Sequence, residues 1–233
     1  MSSTTEIRPS IYVLLGCPGA GKGTFAQAIQ SEGYDHISTG DIIREELRNE
    51  TEFGLKYKDA ILNHVIGGIP FEIIDQLVLQ RLRRGLEEQK SVILDGYPKT
   101  VEQCRLLDTF IQERSLEGRV VFILLDVEGE TAIDRILYRQ SCEKCGKLYN
   151  AKFAPSQIPE TCDLCQGPLT KRLDDSVEGN RMRIYEFKAK MQPVIAHYTP
   201  TNRLHFLDGN GSLATCLERY LSFHHSQTKQ ELP

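Results

Sequence analysis

The sequence predicts an α/β fold: a parallel sheet with helices on both faces. Three observations carry that reading. Apolar runs at Ile11–Leu15, Ser91–Asp95 and Val120–Leu125 read as strands buried on both sides. Amphipathic helical stretches separate them, the alternation expected of strand–helix–strand units. The first run passes directly into Gly16-Cys17-Pro18-Gly19-Ala20-Gly21-Lys22-Gly23-Thr24 and then a helical pattern. Strand, glycine loop and helix together form a phosphate-binding context, and ligands in such sheets sit at the carboxyl ends of strands.

Taken in order, residues 1–10 read as a loose tail. Ile11–Leu15 is the first strand, and residues 22–32 form the helix after the glycine loop. Asp35 to Ile37 is a short strand. Thr39-Gly40-Asp41 opens a helix through Arg48, with Asp41 at its acidic start. Gly54 to His64 reads as one further helix, broken by Gly67-Gly68-Ile69-Pro70. Phe71 to Leu86 has apolar residues at 73, 74, 77, 78 and 82, a helical stripe. Ser91–Asp95 is a buried strand ending in the turn Gly96-Tyr97-Pro98, and Thr100 to Arg114 is a helix. Val120–Leu125 is the third long strand, and Glu130 to Arg139 is a helix. Residues 140–176, with their cysteines, prolines and glycines, read as an inserted module. Val177–Tyr198 is a long helix kinked at Pro193. Arg203 to Leu207 is the last strand and Leu213 to Phe223 the closing helix. The polar tail from His224 is expected to be disordered.

The chain has 233 residues, 40% hydrophobic content and a net charge of −4. That is enough apolar material for one sizeable core. The acidic balance argues against a general nucleic-acid or membrane-surface binder. Met1 to Ser10 lacks the basic and apolar regions of a signal peptide. Val120–Leu125 is too short to span a bilayer. These features point to a cytoplasmic protein, where seven cysteines need an explanation other than disulfides.

The chemistry begins at the glycine loop. Its glycines let backbone N–H groups turn inward around phosphate oxygens, and the helix that follows adds its own unpaired N–H groups and positive dipole end. Lys22 supplies a mobile charge for the terminal phosphates. Asp95 ends an apolar strand, where a carboxylate is costly. It reads as an outer-sphere ligand to nucleotide-bound magnesium, or as half of an Asp-Gly turn. Cys142-x2-Cys145 and Cys162-x2-Cys165, sixteen residues apart, have the spacing of a four-thiolate zinc site. All four positions are filled by protein, so such a zinc is structural. The competing readings are two disulfides or unrelated thiols. Cys17, Cys104 and Cys216 read as small hydrophobes, although Cys17, in the phosphate loop, is open to thiol reagents.

Arg135 and Arg139 precede the insertion and Arg172, Arg181 and Arg183 follow it. Arginine grips phosphate bidentately, so the insertion reads as a flap closing on an anion. Arg181 alone reads as a solvated helix-face residue. Arg135 and Arg139 are expected on one face of one helix. Asp174 and Asp175 suit either the flap or the cap of the long helix. The histidines at 36, 64, 197, 205, 224 and 225 make no motif and read as structural or surface residues. No Ser/His/Asp triad or HExxH stands in the chain. A phosphate acceptor, ionised at neutral pH, needs no general base, only cations and positioning.

Taken together, these motifs resemble the adenylate kinases, in the long-lid, zinc-bearing bacterial form, over about residues 11–223. The matching segments are Gly16 to Thr24, Ser38-Thr39-Gly40-Asp41-Ile42-Ile43-Arg44, Asp95-Gly96-Tyr97-Pro98-Lys99-Thr100 with Gln103, and Arg172 to Asp175. The resemblance implies a single P-loop kinase domain over 1–233 with a five-stranded parallel core, a helical AMP-binding arm at 38–69 and a lid at 138–175. It implies ATP, AMP and ADP as ligands, magnesium with ATP, and a monomer. On the ATP side it implies Gly19, Ala20, Gly21, Lys22, Gly23 and Thr24 at the phosphates. Arg139 is then at ATP, Arg135 against its adenine, and Leu148, Tyr149 and Gly211 are further contacts. On the AMP side it implies Thr39, Arg44, Gly67, Gly68, Ile69, Gly96, Tyr97, Pro98, Lys99 and Gln103. The Gln103 amide suits the N6/N1 edge of adenine. Arg172 and Arg183 grip the phosphates from the lid side. The catalytic set it implies is Lys22, Arg44, Asp95, Arg139, Arg172 and Arg183.

The chain departs from the family pattern twice. Lys99 stands where the family has arginine, keeping the charge and losing the bidentate fork. AMP is expected to bind with altered affinity or rate. Gly67-Gly68 and Phe71 replace a larger pair and an acidic residue, so the adenine-facing wall of the arm is expected to differ in shape. The alternatives are a sister kinase with a GTP donor or a UMP or CMP acceptor, and a nucleotide-binding protein without turnover.

Overall fold

The computed structural model describes residues 11–62, 69–171 and 177–228. Five strands form one parallel sheet: β1 (Ile11–Leu15), β2 (Tyr34–Ser38), β3 (Ser91–Asp95), β4 (Val120–Asp126) and, last in the chain, Leu204–Asp208. The spatial order is β2-β3-β1-β4 with Leu204–Asp208 at the outer edge. Val13 pairs with Leu94 and Phe122, which aligns the carboxyl ends of the central strands. All five residues of β1 are buried. Alternate side chains enter opposite layers, as the pleat requires. Ile11, Val13 and Leu15 pack with Val78, Leu82, Leu107 and Val194, while Tyr12 and Leu14 pack with Phe25, Ile29, Ala132 and Tyr220.

The helices supply those layers. Helix α1 (Lys22–Gln30) starts directly from the glycine loop. Helix α2 (Thr39–Arg48) is capped by the Ser38 hydroxyl, which accepts the Asp41 N–H. The stretch expected as one helix from Gly54 to His64 is two short ones among the described residues, α3 (Glu52–Lys56) and α4 (Lys58–Leu62). The Thr51 hydroxyl caps α3 by accepting the Gly54 N–H, so the first turn begins earlier than the apolar pattern suggests. Residues 63–68, with His64, Gly67 and Gly68, lie outside the described residues. Helix α5 (Phe71–Glu87) and α6 (Val101–Gln112, capped by Thr100) follow.

Helix α7 (Gly129–Leu137) ends before Arg139, which corrects the expectation that Arg135 and Arg139 share a helix face. Arg139 begins strand β5 (Arg139–Cys142), which pairs antiparallel with β6 (Leu148–Asn150) and β7 (Leu169–Thr170). A four-residue spacing places two side chains on one face only while the helix continues. The insertion is therefore a small three-stranded sheet whose core is Cys142, Tyr149, Cys162 and Leu169. Helix α8 (Val177–Tyr198) is assigned through Pro193, and strand β8 (Leu204–Asp208) follows.

Helix α9 (Leu213–Thr228) runs past the point where a disordered tail was expected. His224 is fully buried: its Nδ1 lies 2.8 Å from the Tyr12 hydroxyl and its Nε2 lies 2.9 Å from Glu32. A polar residue facing the sheet through α9 finds buried partners, so composition misplaced the end of the fold. Among the described residues, no helix is long and apolar enough to cross a membrane.

Candidate active site

One cavity of about 1080 Å³ opens at the carboxyl end of the sheet. Its floor is the glycine loop between β1 and α1. Gly19 has φ +80, and a Cβ there would stand 2.3 Å from the Ala132 carbonyl oxygen. Gly21, at φ +99, is the residue from which α1 starts. Side chains at either position are excluded, so the loop presents backbone rather than bulk. Lys22 donates to the carbonyls of Gly16 at 2.9 Å and Cys17 at 3.1 Å. Its ammonium is also 3.8 Å from the Asp95 carboxylate. Cys17 itself is 4% exposed, which shields it from the thiol reagents its loop position suggests.

Asp95 has close neighbours on three sides. Lys22 faces one carboxylate oxygen and His36 Nε2 stands 3.4 Å from the other. The Thr39 hydroxyl donates to the Asp95 carbonyl at 3.1 Å. Sequence reasoning passed over His36. The signal for it is the β2–β3 register, which pairs Ser38 with Asp95 and brings His36 alongside.

Cations line the cavity from several elements: Lys22, Arg44, Lys99, Arg135, Arg139, Arg183 and Lys190. Arg44 is paired with Asp41 one turn away on α2. Arg135 donates to the carbonyls of Gly209 at 2.8 Å and Gly211 at 3.1 Å, so two sequence-derived ATP contacts meet at one point. Arg183 lies on a face of α8 that lines the cavity with Glu186, Phe187, Lys190 and Met191. The spacing 183, 186, 187, 190, 191 is a helical stripe that the sequence offers and reasoning missed. Lys99 lines the cavity and is exposed to the water in it. Desolvation, followed by the like charges of Arg183 and Lys22, pushes its ammonium down to about 8.

Of the other residues singled out in the sequence, Gly19, Gly21, Gly23, Thr24, Thr39, Gly96, Pro98, Leu148, Tyr149 and Gly211 line the same cavity. Ala20, Tyr97 and Gln103 are buried, and Ile69 packs against the core; none of these four is among the lining residues. Both ends of the Gln103 amide are engaged: Oε1 accepts the Lys99 N–H and Nε2 donates to Asp75, each at 2.8 Å. Arg172, Asp174 and Asp175 lie outside the described residues.

The insertion closes over the loop side of the cavity. Leu148 sits so close that a Cβ on Gly23 would stand 2.5 Å from its Cδ1. Lys152 pairs with Asp134 at 2.7 Å, and Asn150 donates to the Arg135 carbonyl at 2.9 Å. Inside the insertion, the sulfurs of Cys142, Cys145, Cys162 and Cys165 all lie within 4.8 Å of one another. The Cys142–Cys165 and Cys145–Cys162 separations are 3.4 and 3.6 Å. None of the four is in a disulfide. A tetrahedral zinc with Zn–S bonds of about 2.3 Å has sulfur–sulfur edges of about 3.8 Å, so the cluster has the size of such a site.

The adenylate kinase family model matches residues 14–203, which span the glycine loop, strands β2 to β4, the insertion and α8. The chain belongs to the adenylate kinase family. It is 38% identical over 204 residues to an adenylate kinase of Fervidobacterium nodosum, covering 86% of this chain and 91% of that one. An adenylate kinase of Thermosipho melanesiensis is 36% identical over 211 residues, covering 90% and 97%. One from Thermotoga neapolitana is 39% identical over 199 residues, covering 84% and 89%. The glycine loop and the cysteine-bearing insertion both fall within the matched residues, and the enzyme is a phosphotransferase.

Proposed function

We propose that this adenylate kinase transfers a phosphoryl group reversibly from MgATP to AMP, giving two ADP. The observation that carries the reading is the convergence of Lys22, Arg44, Lys99, Arg135, Arg139 and Arg183 on one cavity floored by a P-loop. Two polyanions repel, and cations fixed on separate elements offset that repulsion while aligning the reacting groups. The donor phosphates rest on Gly19 to Thr24 and Lys22, with Arg135 and Arg139 at the nucleotide. The acceptor lies toward Thr39, Arg44, Gly96 and Lys99. Arg183 bridges the two sides, and a phosphate-gripping role for Arg172 rests on the family motif alone.

The cavity suits magnesium at Asp95, whose carboxylate is 13% exposed and lies beside Lys22. Magnesium bound with the nucleotide neutralises phosphate charge. The chain's own part is to hold Asp95 through Lys22 and Thr39 and to exclude water beneath the lid, so that phosphate passes to AMP rather than to solvent. AMP phosphate is ionised at neutral pH, which explains a site built from cations with no general base. The four cysteines fit a structural zinc that holds residues 139–170 as a unit, a task their small apolar core does not perform alone. The segments 38–69 and 138–175 are read as the acceptor arm and the lid. The remaining assignments are a monomer in the cytoplasm.

The test is phosphoryl transfer from MgATP to AMP, CMP, UMP and GMP, with diphosphates resolved by chromatography. Selective conversion of AMP is expected. Preference for another acceptor would move the reading to a sister kinase, and nucleotide binding without transfer would end the catalytic assignment.

A further inference from the structure

Strand β6 carries two neighbouring side chains that serve different centres. Leu148 lies against Gly23 of the phosphate loop. Tyr149 contributes to the cavity wall, but its ring is 7% exposed and packs in the lid core with Cys142, Cys162 and Leu169. The Tyr149 hydroxyl accepts the Asp163 backbone N–H at 2.8 Å and stands 3.5 Å from Cys162 Sγ. An oxygen that accepts from an N–H keeps its own proton to donate, and the fully buried Cys162 sulfur is the acceptor it faces.

We infer that Tyr149 is a positioning residue of the metal centre: its hydroxyl donates to the Cys162 thiolate, orients that ligand, and ties the cluster to the strand that touches the phosphate loop. The inference rests on the reading of the four cysteines as a zinc site. A metal-bound thiolate remains a hydrogen-bond acceptor, and partners behind the ligands set how firmly the metal is kept. The same strand joins both contacts, so a ligand shift at Cys162 is transmitted to Leu148 one residue away.

The experiment compares wild type with Tyr149→Phe, which keeps the buried ring and removes only the hydroxyl. Metal content is measured first. Zinc release to a chromogenic chelator is then followed, and release from Tyr149→Phe is expected to be about 10–100-fold faster. Tyr138→Phe, at a residue 41% exposed at the base of the insertion, is expected to leave the rate unchanged. In cobalt-loaded protein, loss of the hydrogen bond destabilises the sulfur electrons, so the thiolate-to-cobalt band is expected to move to lower energy. Equal release rates with an unmoved band would overturn the role of Tyr149. A wild-type protein that carries no zinc and takes up no cobalt would instead overturn the metal reading.

Discussion

Gln103 donates its amide N–H to the Asp75 carboxylate at 2.8 Å, with the two side chains 2% and 8% exposed. The contact joins α6 to α5. It also settles which way the amide faces, because Oε1 must meet the Lys99 N–H and Nε2 the carboxylate. Asp75→Leu would leave a buried N–H without its acceptor, and is expected to cost about 1–3 kcal/mol of stability in urea unfolding.

Asp75 also makes stability depend on pH. Burial raises its pKa above the ordinary carboxylate value, with the Gln103 hydrogen bond acting in the opposite sense. The folded protein therefore binds the proton more tightly than the unfolded chain. Stability from this group falls as pH rises from the ordinary carboxylate value through the raised one. Asp75→Asn keeps an acceptor for Gln103 and cannot ionise. Its unfolding free energy is expected to fall less than that of wild type between pH 4 and 7, as urea titrations at several pH values would show.

Lys99 is expected to give AMP binding its own pH dependence. With the ammonium pushed down to about 8, the free enzyme loses this charge as pH rises through that value. A phosphate dianion binds the charged form, so KM for AMP is expected to rise above pH 8, by up to about tenfold per pH unit. Lys99→Arg stays charged and is expected to hold KM flat from pH 7 to 9. Initial-rate kinetics across that range decide it, and slower catalysis by Lys99→Arg would count against a lysine that merely keeps the charge.

Lys22→Ala is expected to lower kcat by about 10²–10³, since it removes a cation aimed at the transferring group. The loss is expected in kcat more than in KM for AMP, because Lys22 belongs to the phosphate loop rather than the acceptor side. Steady-state kinetics with each substrate varied in turn would separate the two.

His224→Phe keeps a ring in place but removes the buried imidazole partner of the Tyr12 hydroxyl and of Glu32, leaving Tyr34 as the hydroxyl's neighbour. The expected cost is about 1–3 kcal/mol, or about 2–4 °C in Tm for each kcal/mol. Activity per folded molecule at 25 °C is expected to be unchanged, because His224 lies on the α9 side of the sheet and not among the cavity-lining residues. Thermal melts read alongside kinetics test both halves.

The sequence by itself determined the parallel strands, the phosphate loop and the four-cysteine module. Each is written in short-range spacing: unbroken apolar runs, glycines where positive φ is required, and paired Cys-x2-Cys knuckles. Tertiary structure decided what those patterns could not. Arg139 begins a strand rather than extending α7 because β6 pairs with it at Asn150, and His224 was drawn into the fold by Tyr12, 212 residues away in the chain. Asp75 took the Gln103 amide across 28 residues, and Arg135 met Gly211 across 76. Such contacts follow from the packing of layers, and a side chain's partner across a layer leaves no periodic trace in its own neighbourhood.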